Sequence, residues 1–178
     1  MRFDHKIVTG GRRCTRQTLS GALVILLLLG QPAWPEPCAR QAEMSAFDVA
    51  KLKSQLMVTA LACDVRDRYN DFVLRFRTDL MAKEHALQGY FSRAFGGRGQ
   101  QAHDDYITTL ANTQSEAGIK QGTLLCQQTI GLFDAVLALP KGADLASFAG
   151  TRGDLIQPID LVACPASVTR TAETQTRR

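Results

Sequence analysis

The chain has 178 residues, and 21 Lys and Arg against 17 Asp and Glu give a formal net charge of +4. The excess lies entirely in residues 1–33, where five basic residues face one acidic residue, so residues 34–178 are formally neutral. Nucleic-acid binding needs a cationic surface that displaces counterions. The neutral segment therefore argues against a nucleic-acid partner.

The N-terminal segment has the pattern of an export signal. Basic residues ending at Arg16 precede an apolar run at 19–30, and helix-breaking prolines follow. This order is typical of a secretory signal peptide, so we predict a signal peptide at 1–33 and a linker at 34–44. The apolar core is shorter than the roughly 20 residues that span a bilayer. Because the uncharged run covers 17–35, the alternative is an uncleaved anchor in the inner membrane.

All the cysteines except Cys14 lie beyond the predicted signal peptide, and they number four. An even set of cysteines in an exported chain predicts disulfides and an oxidising compartment. Of the three connectivities, we favour Cys63–Cys126, because both residues lie in helical segments, and Cys38–Cys164, because this pair brackets the domain. No C-x-x-C pair is present and no histidine flanks a cysteine at ligand spacing. We therefore predict no metal ligands, no haem and no other cofactor.

Apolar residues recur every three or four positions through residues 45–165, which predicts an all-α domain. The predicted helices cover 45–63, 65–95, 100–112 and 119–137, with a break at 112–115 and a helical turn at 144–148. Ser45 and Asp48 predict a capping box for the first helix. Residues 155–164 are predicted to form an extended strap, and residues 166–178 a disordered tail. The predicted fold is a single small helical bundle stapled by disulfides.

The segment 65–95 is the most strongly patterned part of the chain. Two acid-first pairs at i,i+4 spacing, Asp64–Arg68 and Asp71–Arg75, predict a solvated charged face. Its aromatic residues lie at helical spacing and predict core packing. The alternative is a ligand pocket lined by Tyr69, Phe72, Tyr90, Phe91 and Tyr106.

The segment 94–106 contains the residues that most resemble a site. A glycine pair at 96–97 is predicted to end the long helix. The glycines complete neither the P-loop pattern nor the dinucleotide-binding pattern. Arg98 and Gly99 nevertheless form a candidate for binding an anion at the start of the next helix. His103-Asp104-Asp105 has residue types suited to metal or acid–base chemistry. Adjacent helical side chains point about 100° apart, so we predict that these three do not converge and that the acids complement the helix dipole.

Several short elements occur together between residues 63 and 148. They are Cys63, Tyr69-Asn-Asp-Phe72, Tyr90-Phe91, Leu110-Ala-Asn112, Cys126 and Leu132-Phe133. In this combination the chain resembles small exported helical proteins of Gram-negative bacteria that have no assigned function. The resemblance implies a helical, disulfide-bearing, periplasmic protein, and it implies no activity and no catalytic residues.

Together these observations favour an exported periplasmic protein of a non-enzymatic, partner-binding or envelope-accessory type, with a protein of the cell envelope as its partner. One alternative is a small-ligand sensor or an enzyme with a pocket between the helices. Another is an accessory subunit of an inner-membrane complex, anchored by residues 17–35. No catalytic residue is predicted.

Overall fold

Helices make up most of residues 37–165, the part of the chain that the computed structural model describes. Within it the α-helices are α1 (Gln41–Ala62), α2 (Arg66–Arg75), α3 (Arg77–Phe95), α4 (Gly99–Gln121), α5 (Leu125–Leu137) and α6 (Leu145–Gly150). The all-helical fold with two disulfides is confirmed. The predicted signal peptide, the start of the predicted linker and the predicted tail lie outside the described residues.

Helix α1 is the central element, because it contacts each of the other five helices. Its buried side chains include Leu52 and Leu56 as well as the polar Gln55, and a helix that buries most of its circumference lies inside the bundle. The predicted capping box, at Ser45 and Asp48, was placed five residues too late, because the observed one is formed by Arg40 and Glu43. Glu43 Oε2 accepts a hydrogen bond from the backbone N–H of Arg40 at 2.7 Å, so the helix already begins at Gln41 and takes residues 41–44 from the predicted linker.

The predicted long helix at 65–95 is divided at Phe76 into α2 and α3. Helix α2 packs against α5, whereas α3 packs against α4, and both contact α1. Phe76 is buried with its ring centroid 5.5 Å from that of Phe72. The change of direction therefore lets the two halves bury their aromatic side chains against different neighbours.

Two of the three arginines of α2 bind across the bundle. Arg68 forms an ion pair with Asp134 of α5, and Arg75 donates a hydrogen bond to the carbonyl oxygen of Leu139. The predicted pairs of these arginines with Asp64 and Asp71 are absent from the ion pairs of the described residues. The i,i+4 prediction was wrong because longer-range acceptors lie within reach of both guanidinium groups.

Helix α4 continues through the predicted break at 112–115. Gln114 is buried, and its Nε2 donates to the carbonyl oxygens of Lys51 at 3.0 Å and Ile156 at 3.4 Å. These tertiary contacts outweigh the modest helix propensities of Asn, Thr and Ser. The helix ends instead at Gly122, whose φ of 58° begins a 3₁₀ turn at Gly122–Leu124. The helix predicted over 119–137 is therefore split between the end of α4 and α5.

Two hydrophobic clusters form the core of the described residues. The larger one, between α1, α2, α5 and α6, includes Leu52, Leu56, Phe72, Phe76, Phe133, Val136 and Leu145. The smaller one, between α1, α3 and α4, includes Phe47, Leu87, Tyr90, Phe91, Tyr106 and Leu110.

The two ends of the described segment are joined. Cys38 and Cys164 form a disulfide with a Cα–Cα distance of 4.8 Å, and Cys63 and Cys126 form another with 5.6 Å. Both pairs are those favoured by the sequence. Beside the first, Ala39 forms an isolated parallel bridge with Ala163. The C-terminal strap is thus extended and paired at one point rather than forming a strand.

Arg93 of α3 binds both the start of α1 and the backbone at Cys38. Its guanidinium donates to Glu43 Oε1 at 3.2 Å and to the carbonyl oxygen of Cys38 at 2.9 Å. Burial acts to raise the pKa of Glu43, but the hydrogen bonds from Arg93 and from the Arg40 backbone together hold that pKa below its ordinary value of 4.5. Glu43 is therefore ionised near neutral pH and forms a charge-assisted hydrogen bond.

Candidate functional site

An open apolar groove lies between the C-terminal halves of α1 and α4. It has a volume of about 590 Å³ and is lined by Met57, Val58, Leu61, Ala62, Ala111, Ser115, Gly118, Ile119, Gly122 and Leu125. None of these residues is charged. Leu61 is 60% exposed and Ile119 is 78% exposed. Large apolar side chains exposed together around a groove mark an interaction surface more often than scattered single ones.

The local sequence explains why this groove stays open. Ala111, Ser115 and Gly118 recur at helical spacing along α4, and Gly122 directly follows its last residue, so this side of the helix carries small side chains. At Gly118, an added Cβ would lie 3.0 Å from Leu125 Cδ2. The small residues therefore leave a depression beside α1, while Leu125 packs closely against the α4 backbone.

The Cys63–Cys126 disulfide lies next to the groove, because Cys63 follows Ala62 and Cys126 follows Leu125. It ties the end of α1 to the start of α5, two elements that contribute to the lining. A surface held in place by a covalent link loses less conformational entropy when it binds. Ile119, the first residue of the helix predicted over 119–137, lies near the end of α4 and is exposed.

A second, separate cavity is polar and has a volume of about 230 Å³. Gln55 of α1, Gln114 and Gln121 of α4, and Gln128 and Thr129 of α5 contribute to its lining, as do residues 152–156 of the C-terminal strap. Gln114 Oε1 is buried and accepts no hydrogen bond from any residue within 37–165. A buried acceptor without a partner costs about 1–3 kcal/mol. The sequence analysis missed this cavity, although glutamines at 114, 121 and 128 recur at a spacing of seven residues.

The glycine-rich turn that the sequence singled out has a packing role. Gly96–Arg98 forms a 3₁₀ turn, and Gly96 has a φ of 55°, so the glycines end α3 as expected. Gly99 is buried at the start of α4, where an added Cβ would lie 2.7 Å from Ser92 Cα. Arg98 is exposed. Anion binding by Arg98 and Gly99 stays a prediction.

His103 has a close partner that the sequence did not indicate. Its Nε2 lies 2.9 Å from Glu84 Oε1 on α3, and its Nδ1 lies 3.3 Å from Asp104 Oδ1. The prediction that His103, Asp104 and Asp105 do not converge considered a single helix, whereas packing of α3 on α4 places Glu84 beside His103. The Glu84 contact is not aligned for a hydrogen bond. Asp104 and Asp105 lie beyond the first turn of α4, so they do not complement its dipole there as predicted.

Metal-binding geometry is absent from this region and from the rest of residues 37–165. No three His, Cys, Asp or Glu side chains there are arranged to hold a metal ion. In the same residues, no helix combines the length and the apolar character needed to cross a membrane.

The five aromatic residues considered as a pocket are divided between the two core clusters. Phe72 lies in the larger cluster with Tyr69 packed against it, while Tyr90, Phe91 and Tyr106 lie in the smaller one. Tyr106 donates a hydrogen bond to Gln157 Oε1 at 2.9 Å, and burial raises its pKa far above the ordinary value of 10.0. Tyr106 is therefore a neutral, hydrogen-bonded core residue.

These features define a class of protein: a small all-helical domain closed by two disulfides, which are typical of exported proteins that fold in an oxidising compartment. No family model, no curated protein and no solved structure matches the chain. The resemblance to small exported helical proteins stays a prediction. The function must therefore be inferred from the groove and the polar cavity.

Proposed function

We propose that this protein is an exported, non-enzymatic domain of the Gram-negative periplasm that binds a protein of the cell envelope. The observation that carries the proposal is the open apolar groove between α1 and α4, which no residue within 37–165 covers. The two disulfides and the N-terminal export pattern support an oxidising compartment outside the cytoplasm.

The partner that fits this groove is an apolar face of one amphipathic helix. The small residues of α4 extend from Ala111 to Gly122, a distance of about 16 Å at 1.5 Å per residue. This length suits roughly three helical turns, whose anchors would follow i, i+3 or i+4, and i+7 spacing. Because the lining carries no charged residue, we expect the contacting face of the partner helix to be uncharged as well.

Site-specific crosslinking tests this proposal in intact cells. A photoreactive residue, p-benzoylphenylalanine, would replace Ile119, which is 78% exposed in the groove, and in a matched control it would replace Leu74, which is 72% exposed on α2. We expect an adduct from position 119 that position 74 does not give. Mass mapping should place the adduct on an apolar helical face of another envelope protein.

The substitution Leu61→Glu makes the test specific to the groove. It adds a charge to the apolar lining at a side chain that is 60% exposed, so stability should change by no more than about 0.5 kcal/mol. We expect it to abolish the adduct from position 119, whereas Leu74→Glu should leave the adduct intact. Equal adducts from positions 119 and 74 would contradict the proposal. An adduct with a second copy of this chain would contradict the assigned partner.

The mature N-terminus distinguishes the exported form from the membrane-anchored alternative. A cleaved signal peptide would leave a protein beginning between residues 33 and 38, which keeps Cys38 for its disulfide, whereas an anchor would retain residues 17–35. We propose the cleaved form, and N-terminal sequencing of the exported protein measures it directly.

A further inference from the structure

The polar cavity described above is built by two matching helical faces. Gln114, Ala117, Gly118 and Gln121 lie at i, i+3, i+4 and i+7 on α4, and Leu125, Gln128, Thr129 and Leu132 repeat that spacing on α5. Residues with this spacing share one face of a helix. The two faces and Gln55 of α1 surround the cavity, and the strap at 152–156 completes the lining.

The lining is neutral and rich in primary amides. Four glutamines contribute to it, of which Gln55 and Gln114 are buried and Gln121 and Gln128 are exposed, so amides are present both deep in the cavity and at its solvent-facing side. Every primary amide offers two hydrogen-bond donors and one acceptor oxygen. No isolated charge competes with them.

The two ionisable residues of the lining neutralise each other. The guanidinium of Arg152 donates to Asp154 from Nε and Nη2, with both contacts at 3.0 Å. An anion binding here would meet the carboxylate of Asp154, and a cation would meet the guanidinium of Arg152. The cavity therefore favours an uncharged ligand over either kind of ion.

Gln114 supports a ligand site in a second way, independent of the amide-rich composition of the lining. It is 1% exposed, and its Nε2 is committed to the carbonyl oxygens of Lys51 and Ile156. These two bonds identify the nitrogen end of the amide, so the other end is Oε1. This oxygen accepts no hydrogen bond within residues 37–165. Buried polar atoms in folded proteins are nearly always paired, and Gln114 Oε1 is the one side-chain oxygen of the lining that is buried without a hydrogen-bond partner among residues 37–165.

We propose that this cavity binds a small uncharged polyol of the size of one monosaccharide. Each hydroxyl group is both a donor and an acceptor, which matches primary amides on both counts. The volume of about 230 Å³ is below the roughly 300–1,000 Å³ typical of sites for drug-sized ligands, so a single sugar ring fits better than an oligosaccharide. This site is distinct from the apolar groove and does not require a protein partner.

Binding is measured by NMR on the exported, disulfide-bonded protein as it is isolated from cells, titrated separately with D-glucose, D-ribose and glycerol. Acetamide, L-glutamate and choline serve as amide, anionic and cationic probes. We expect at least one polyol to bind with a dissociation constant of ~10 mM or tighter and to shift the backbone amide signals of 114–129 and 152–156. Absence of such shifts with every polyol, or stronger shifts with L-glutamate, choline or acetamide, would overturn the proposal.

A pair of adjacent glutamines on α5 supplies the matched control. Gln128 lines the cavity and Gln127 does not, while both are exposed on the same helix. Gln128→Ala should weaken polyol binding about tenfold, the loss of roughly one hydrogen bond, whereas Gln127→Ala should leave it unchanged. Equal effects of the two substitutions would refute the site. Circular dichroism of both variants shows that the helical fold is retained.

Discussion

Gly99 allows a direct test of how α3 and α4 meet. A Cβ added at this position would lie 2.7 Å from Ser92 Cα and 3.0 Å from the carbonyl oxygen of Phe91. Both are backbone atoms, so no side-chain rotation can relieve the contact. In Gly99→Ala the two helices must move apart, and such overpacking typically costs 1–3 kcal/mol.

Gly97→Ala is the matched control two residues away. An added Cβ there has no atom within 4 Å, and a compatible Gly→Ala change gains about 0.4–1 kcal/mol by restricting the unfolded chain. Thermal and urea denaturation followed by circular dichroism, with both disulfides intact, measures the two variants. We expect Gly99→Ala to be less stable than Gly97→Ala by about 1–3 kcal/mol, because the effect on the unfolded chain is common to both variants and the overpacking at Gly99 remains.

This experiment also separates packing from anion binding at Arg98 and Gly99. If packing is the reason for the glycine, the stability difference should be the same with and without millimolar sulfate. Equal stability of the two alanine variants would refute the close approach of α4 to α3. A difference that appeared only when sulfate was present would instead favour anion binding at this turn.

Two further predictions concern the fastening of the bundle. Replacing Cys63 and Cys126 together by serine should lower the free energy of unfolding by about 4 kcal/mol. The reason is that the unfolded chain gains entropy when the loop of about 63 residues is no longer closed. Urea denaturation measures the loss, and a loss below about 1 kcal/mol would contradict this reasoning. Because the folded pKa of Glu43 lies below 4.5, its contribution is present above pH 4.5 and is lost as the pH falls through the folded pKa. The stability difference between the wild type and Glu43→Gln should therefore shrink on acidification, whereas the exposed Glu116→Gln should show no such trend in the same urea series.

Local sequence patterns were sufficient to predict most of the helices. The apolar spacing along 45–63 reflects a face that packs in the core, and Gly96 has the positive φ that a helix end requires. The even number of cysteines beyond Cys14 indicated disulfides for a reason independent of helix patterning. These features depend on neighbours in the sequence or on composition, which a single chain displays directly.

Three of the wrong predictions share a physical cause, since each depended on a partner far away in the sequence. Helix α4 continues past Asn112 because Gln114 binds the carbonyl oxygen of Lys51, a contact 63 residues away. Arg68 binds Asp134, 66 residues away, in preference to a nearby acid. Glu84 meets His103 only because α3 and α4 pack together.

The groove and the cavity could not be predicted from the sequence, for a related reason. Ile119 is apolar and opens the helix predicted over 119–137, yet its side chain is exposed. Its exposure results from where α4 ends relative to α1, which depends on the turn at Gly122 and on the packing of Leu125. Helical periodicity identifies which residues share a face, but the tertiary arrangement determines whether another helix covers that face.

The two proposed sites share a wall, because Gly118 and Leu125 line both the apolar groove and the polar cavity. Leu125 lies against the α4 backbone at Gly118, so a ligand that displaced this side chain would alter both surfaces at once. Any resulting change in affinity must be reciprocal: a polyol that strengthens helix binding tenfold must itself bind tenfold more tightly to the partner-bound protein. If neither ligand moves Leu125, the two affinities are independent. The groove and the cavity would then act as two separate binding sites that share the Gly118–Leu125 contact.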